Sequence, residues 1–212
     1  MSIARFITIE GIEGVGKSTQ ISCLSAELTV RGIAHEVTRE PGGTPLAEKI
    51  RRLVLERGEE SLPAMGELLL MFAGRAVHLA NRIEPALCAG RWVICDRFTD
   101  ATYAYQGGGR GVDASDIAVL ERLVQGMRRP DLTLLLDASV AEGLERARSR
   151  NAAAPTDRFE SERAEFFERV RALYLARARA EPGRIVVIDA GASIETVSAS
   201  LMRAIEARGW LA

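Results

Sequence analysis

"RFITIEGIEGVGKST", residues 5–19, decides how this chain is read. Its first six residues are a short apolar run, and the next nine carry the spacing Gly-x-x-x-x-Gly-Lys-Ser at Gly11, Gly16, Lys17 and Ser18. Ile21, Leu24, Ser25 and Leu28 then fall at i, i+3, i+4 and i+7, one face of a helix. A buried strand, a glycine-rich loop and an amphipathic helix in that order form the P-loop arrangement. Glycines let backbone amides turn inward on an anion, and the helix N-terminus adds its partial positive charge. Lys17 is placed to reach terminal phosphates and the Ser18 hydroxyl to hold Mg²⁺, with Gly14 and Thr19 completing the donor contacts. The same loop contains Glu13, whose carboxylate would oppose phosphate binding if it faced inward. Glu13 is therefore expected to point outward.

The alternation begun by this stretch continues along the chain. Four more apolar runs follow: "HEVTR" (35–39), "WVICD" (92–96), "LTLLLD" (132–137) and "RIVVID" (184–189). Helical patterns separate them, near 46–55, 65–88, 115–126, 140–149, 161–180 and 194–208. Short runs alternating with helices predict an α/β fold: a three-layer P-loop NTPase with a five-stranded parallel sheet flanked by helices. One domain over 1–212 is expected, with a short lid at about 142–160, where "RNAAAPTDR" (150–158) has little to bury. Three runs end in Asp, and ligands of open α/β sheets gather at carboxyl ends of strands, so Asp96, Asp137 and Asp189 are expected near the site.

Composition narrows the function classes. The 212 residues include 28 basic and 29 acidic side chains, a net charge of −1, so no global field attracts nucleic acid or anionic membrane. Three scattered cysteines, Cys23, Cys88 and Cys95, without a C-x-x-C pair, read as buried thiols in a reducing compartment rather than a disulfide framework or zinc site. No apolar run reaches membrane-spanning length, and "MSIARFITIEG" lacks the pattern of a secretory signal, so a cytoplasmic location is expected. His35 and His78 have no neighbouring ligand cluster and are assigned no chemistry.

GTPase switches, ATP motors and small-molecule kinases share the P-loop. No Asn-Lys-x-Asp signature is present, which argues against a GTPase, and a motor would usually be larger. In "DRF" (96–98), Asp96 can bind a metal or its water shell, and Arg97 offers a planar fork to a phosphate, although a strand-end salt bridge would read the same. On the long helix, Phe72 and Arg75 sit three apart and project to one side, where a ring and a guanidinium suit a nucleobase. An aromatic at helical spacing is also commonly core.

"TREPGGTPLAEKIR", "LLLMFAGRAVHL", "WVICDRF", "AYQGGGRG", "RPDLTLLLD" and "DRFE", following the P-loop in this order, resemble the thymidylate kinases of bacterial type. That resemblance implies phosphorylation of thymidine monophosphate (dTMP) to its diphosphate by ATP with Mg²⁺, and a homodimer with the 65–88 helix at its interface. It implies that Phe72 stacks on thymine, Arg75 bonds a thymine carbonyl and Arg97 holds the acceptor phosphate. Tyr105 and Gln106 would line the acceptor sugar and base, with Arg39 and Pro41 of the "REPGG" turn shaping the pocket. Glu13 would reach the acceptor's 3′-hydroxyl. Some relatives carry an arginine where this chain has Gly14, so the lid arginines Arg158 and Arg150, then Arg146 and Arg148, are expected to neutralise the transferring phosphoryl group. A serine often follows "DRF"; here Ala101 precedes Thr102, which is expected to take its place. "GGGRG" (107–111) reads as a tight, glycine-dependent turn with Arg110 near the acceptor.

Overall fold

The structure is a computed structural model that describes residues 3–56, 60–150, 158–159 and 162–211, with the backbone alone at 150. The strands among the described residues are β1 (Phe6–Glu10), β2 (His35–Arg39), β3 (Trp92–Asp96), β4 (Leu132–Asp137) and β5 (Ile185–Asp189). They form one parallel sheet in the order β2-β3-β1-β4-β5. The helices among the described residues are α1 (Lys17–Val30), α2 (Pro45–Leu55), α3 (Ala64–His78), α4 (Glu84–Cys88), α5 (Thr99–Thr102), α6 (Ala114–Gln125), α7 (Val140–Arg150), α8 (Ala164–Ala180) and α9 (Ile194–Glu206).

Side chains alternate across a strand, and here both faces are covered. Ile7, Ile9, Trp92 and Ile94 enter the large core beneath α1, α8 and α9, whereas Phe6, Val93 and Cys95 enter a second core with Leu79, Ile83 and Phe98. Burial on both sides explains why the central strands read as continuous apolar runs rather than alternating ones. Helix starts follow local chemistry. Thr44 accepts a hydrogen bond from the Ala47 amide at 3.2 Å with Pro45 opening α2, and Ser193 caps α9 through the Thr196 amide.

Two segments depart from the sequence reading. The 65–88 helix is continuous but widens to π geometry over Leu79–Ile83, immediately before Pro85, which has no N–H and crowds the carbonyl a turn earlier. "GGGRG" is not a tight turn: Tyr103–Gly109 continues α5 as a π-helical segment. Its glycines serve close packing, since a Cβ at Gly109 would lie 2.4 Å from Phe166 and one at Gly108 2.9 Å from the Arg169 carbonyl oxygen. Of the three thiols, Cys95 is buried but Cys23 is half-buried and Cys88 exposed.

Candidate active site

The P-loop links β1 to α1, and Arg97 follows β3, which lies beside β1 in the sheet. The ladder therefore sets the P-loop and Arg97 side by side. They open on one cleft of about 280 Å³. Glu13, Gly14, Gly16, Lys17, Ser18, Arg39, Pro41, Asp96, Arg97, Tyr105 and Gln106 from the sequence reading all line it.

At the donor end, Gly16 adopts φ 91° as the N-cap of α1, with open space where a Cβ would project. Gly14 is different. At φ 73° its Cβ would lie 1.9 Å from the Gly143 carbonyl oxygen of α7, so loop and helix meet backbone to backbone. Lys17 donates to the Gly11 and Ile12 carbonyls at 3.1 and 2.7 Å, and burial together with the nearby Arg97 charge pulls its ammonium down to about 8. Thr19 is exposed on the first turn of α1, and Gly11 turns the chain at φ 137°. A Mg²⁺ ion fits the donor set here. Asp96 Oδ1 is buried with no hydrogen-bond partner among the described residues, and Ser18 shares the same cleft. Among those residues no cluster of three or more His, Cys, Asp or Glu forms a cage of its own.

Next to the loop, Arg97 donates from Nη1 to the Gly11 carbonyl at 2.7 Å and from Nη2 to Glu13 at 3.1 Å, with its guanidinium over the Tyr105 ring. The Tyr105 hydroxyl donates to both Glu13 oxygens, at 2.8 and 3.0 Å. Glu13 is thus held by Arg97 and Tyr105 at the edge of the cleft. Gln106 donates to buried Glu67 at 2.7 Å, and Arg39, largely exposed, pairs with Glu48.

Other expected residues lie elsewhere. Phe72 is buried among Leu68 and Ile117 and does not line the cleft; its chain neighbour Met71 does, with Leu55, Ala101 and Phe159. Arg75 is buried behind the wall, donating to Glu40 at 2.7 Å and to Thr102 at 2.8 Å. Thr102 is fully buried in that contact, and Ala101 faces the cleft instead. Glu40 also meets His78 at 2.9 Å, which makes His78 part of the wall. The Glu40–Pro41 peptide is cis. Asp137 pairs with Arg171 and Asp189 bonds the Gly191 amide, so of the three strand-end aspartates only Asp96 reaches the cleft. Arg110 pairs with Glu67 and Glu162 and does not itself line the cleft. Arg158 pairs with Glu67 and donates to the Val54 carbonyl at 3.0 Å, while Arg146 donates to the Ala190 carbonyl and Arg148 is exposed. The Arg150 side chain and residues 151–157, the heart of the expected lid, lie outside the described residues.

Residues 9–201 match the thymidylate kinase family model. The chain belongs to the thymidylate kinase family. It is 55% identical over 203 residues to the thymidylate kinase of Teredinibacter turnerae, covering 96% of this chain and 98% of that protein. It is 57% identical over 202 residues to the thymidylate kinase of Chromohalobacter salexigens, covering 95% and 94%. The solved thymidylate kinase of Ehrlichia chaffeensis, 33% identical, superposes with a TM-score of 0.74 over 96% of this chain and 98% of that one. As a member of this family the chain is a nucleotide kinase, with the expected parallel sheet and P-loop fold. No helix among the described residues is long and apolar enough to cross a membrane.

The sequence reading passed over Glu10, Met71, Phe159 and Tyr174. Glu10 has no exposed surface; burial and the nearby Asp100 carboxylate push its carboxyl up to about 8. A carboxylate ending an apolar run just before Gly11 was the available signal.

Proposed function

We propose that this chain transfers the γ-phosphoryl group of ATP to dTMP, giving dTDP, with Mg²⁺ at Ser18 and Asp96. One observation carries the reading: the P-loop and Arg97 leave adjacent strands and open on the same cleft. Two anions bound there would lie end to end, and transfer between phosphates is catalysed mainly by alignment and charge neutralisation. The metal, when bound, would neutralise charge on the donor's phosphate oxygens.

The donor triphosphate lies along the loop amides from Gly11 to Thr19, and Lys17 exchanges its carbonyl partners for phosphate. Arg97 takes the acceptor phosphate, sharing its positive charge between that phosphate and Glu13. Glu13 and Tyr105 accept and donate at the acceptor's sugar, and Gln106, Arg39 and Pro41 shape the pocket around it. Met71 and Phe159, rather than Phe72, flank the base, because they present apolar surface in the cleft. Arg75 acts on base choice through Glu40 and Thr102, which it holds in place. Arg158 and Arg150 supply the positive charge that Gly14 cannot, on a lid spanning about 142–160 of a single domain. No general base is required, since the acceptor phosphate is already an anion.

The functional unit in this reading is a cytoplasmic homodimer. Leu53 on α2, Leu69 on α3 and Leu123 on α6 are 60%, 51% and 76% exposed on helices that pack in a row. An apolar surface of this kind favours a second copy. A coupled assay of ADP formation with Mg²⁺ and a panel of acceptors tests the activity. Preferred turnover of dTMP is expected; preference for AMP, GMP or an uncharged nucleoside would overturn it.

A further inference from the structure

Arg97 is the one non-glycine residue with positive φ, 70°, among the described residues. That conformation is disfavoured for an L side chain and persists where surrounding contacts over-determine it. The contacts here come from both sides of the turn. The Arg97 amide donates to the Ile9 carbonyl at 3.0 Å, and the Phe98 amide donates to Glu10 Oε1 at 2.7 Å. The second oxygen of Glu10 accepts from the Tyr174 hydroxyl at 2.7 Å, and that hydroxyl accepts from Arg97 Nη1 at 3.3 Å. One carboxylate therefore touches the backbone of the turn with one oxygen and, through Tyr174, the guanidinium of the same turn with the other.

Glu10 is fully buried, Tyr174 nearly so, and neither lines the cleft. A buried carboxyl is a costly way to fill a strand end where an aliphatic residue would pack. Its chemistry explains its presence: two donors converge on it, and once ionised, above about pH 8, it is a carboxylate that accepts at both oxygens. A glutamine cannot, because its amide nitrogen would face one of the two donors.

We infer that Glu10, acting with Tyr174, is the positioning residue that holds the Arg97 turn in its left-handed form and aims its guanidinium into the acceptor cleft. This rests on the reading that Arg97 holds the acceptor phosphate. The consequence is an effect confined to one substrate. Losing an aligned charged contact of this kind is worth roughly tenfold in an equilibrium.

The test measures acceptor KM, ATP KM, kcat and thermal stability at pH 9, where Glu10 is ionised, in Glu10→Gln, Tyr174→Phe, Arg97→Ala and the two double variants with Arg97→Ala. Glu10→Gln should raise dTMP KM about tenfold and Tyr174→Phe by a smaller factor, with ATP KM within about twofold of wild type. Added to Arg97→Ala, neither should cost more than about a further twofold, because the residue they act through is gone. Unchanged dTMP KM in Glu10→Gln, ATP KM rising in parallel, or losses that add to those of Arg97→Ala would each overturn the inference. If Glu10→Gln does not fold, Tyr174→Phe and its double variant decide on the same criteria. If Arg97→Ala itself leaves dTMP KM unchanged, the assignment of Arg97 is what fails, and the inference goes with it.

Discussion

Gly14 offers the sharpest test of how the P-loop is built here. Its Cβ would stand 1.9 Å from the Gly143 carbonyl oxygen, and the reciprocal Cβ at Gly143 would stand 2.6 Å from the Glu13 carbonyl oxygen. Gly14→Ala therefore meets two costs: about 1 kcal/mol or more for a side chain at φ 73°, and roughly 1–3 kcal/mol for forcing backbone apart. A loss of about 3 kcal/mol should lower Tm by roughly 6–12 °C in a domain of this size. Gly16→Ala, at φ 91° with nothing within 4 Å, should meet only the conformational cost of about 1 kcal/mol. It should instead weaken ATP binding, because the methyl enters open space at the donor end. Gly143→Ala isolates the clash: it should destabilise although alanine is the better helix former. Differential scanning fluorimetry with steady-state kinetics on the three variants separates these effects. If Gly14→Ala melts within about 2 °C of wild type, or no lower than Gly16→Ala, the close approach of loop and α7 is not the constraint described. Gly14→Arg should fail for the same reason, which leaves the neutralising charge to other arginines.

Four further outcomes are expected. Met71→Ala should raise dTMP KM several-fold while Phe72→Leu mainly lowers stability, by roughly 1 kcal/mol; the reverse pattern in kinetics and melting would return the base to Phe72. The Lys17 ammonium, held down at about 8, is charged below that value, so ATP affinity by calorimetry should fall as pH rises past 8, by up to about tenfold per unit. Burial acts to raise Asp100, but its contacts with Arg184 and Arg177 hold it down at about 2. Its contribution of about 2 kcal/mol should be present above the unfolded value near 3.8 and be lost as pH falls through 2. Urea titrations from pH 2 to 5 should show that loss in wild type and not in Asp100→Asn. Leu69→Arg combined with Leu123→Arg should yield monomers by light scattering; persistent dimers would place the interface elsewhere.

The fold was legible because its signals are local. Each strand is short and bounded by a helix pattern, all but β2 (His35–Arg39) are apolar, and the P-loop carries its chemistry in consecutive residues. Arg97 was legible for a related reason, since it follows Asp96 at the end of a buried strand. The wall of the pocket was harder. Met71 and Phe72 are adjacent on α3, and one residue is about 100° of rotation, set by how α3 packs on α2 and α6 rather than by its own sequence. Glu10 was hidden for another reason: its partner Tyr174 lies 164 residues away. "GGGRG" was misread because glycine serves two ends, a left-handed turn and close contact, and only the position of α8 shows that the second applies to Gly108 and Gly109.

The neighbouring placement of β1 and β3 works as a fixed gauge. Strands in a sheet sit about 4.8 Å apart, and neither can slide without breaking a ladder that is paired from Phe6 with Val93 to Ile9 with Asp96. The span separating the P-loop from Arg97, the two nucleotide seats of the proposed function, is thus built into the most rigid layer of the molecule. Adaptation to a different acceptor must come from the rim, through side chains such as Met71 and Leu55, while the spacing itself stays beyond easy reach of mutation.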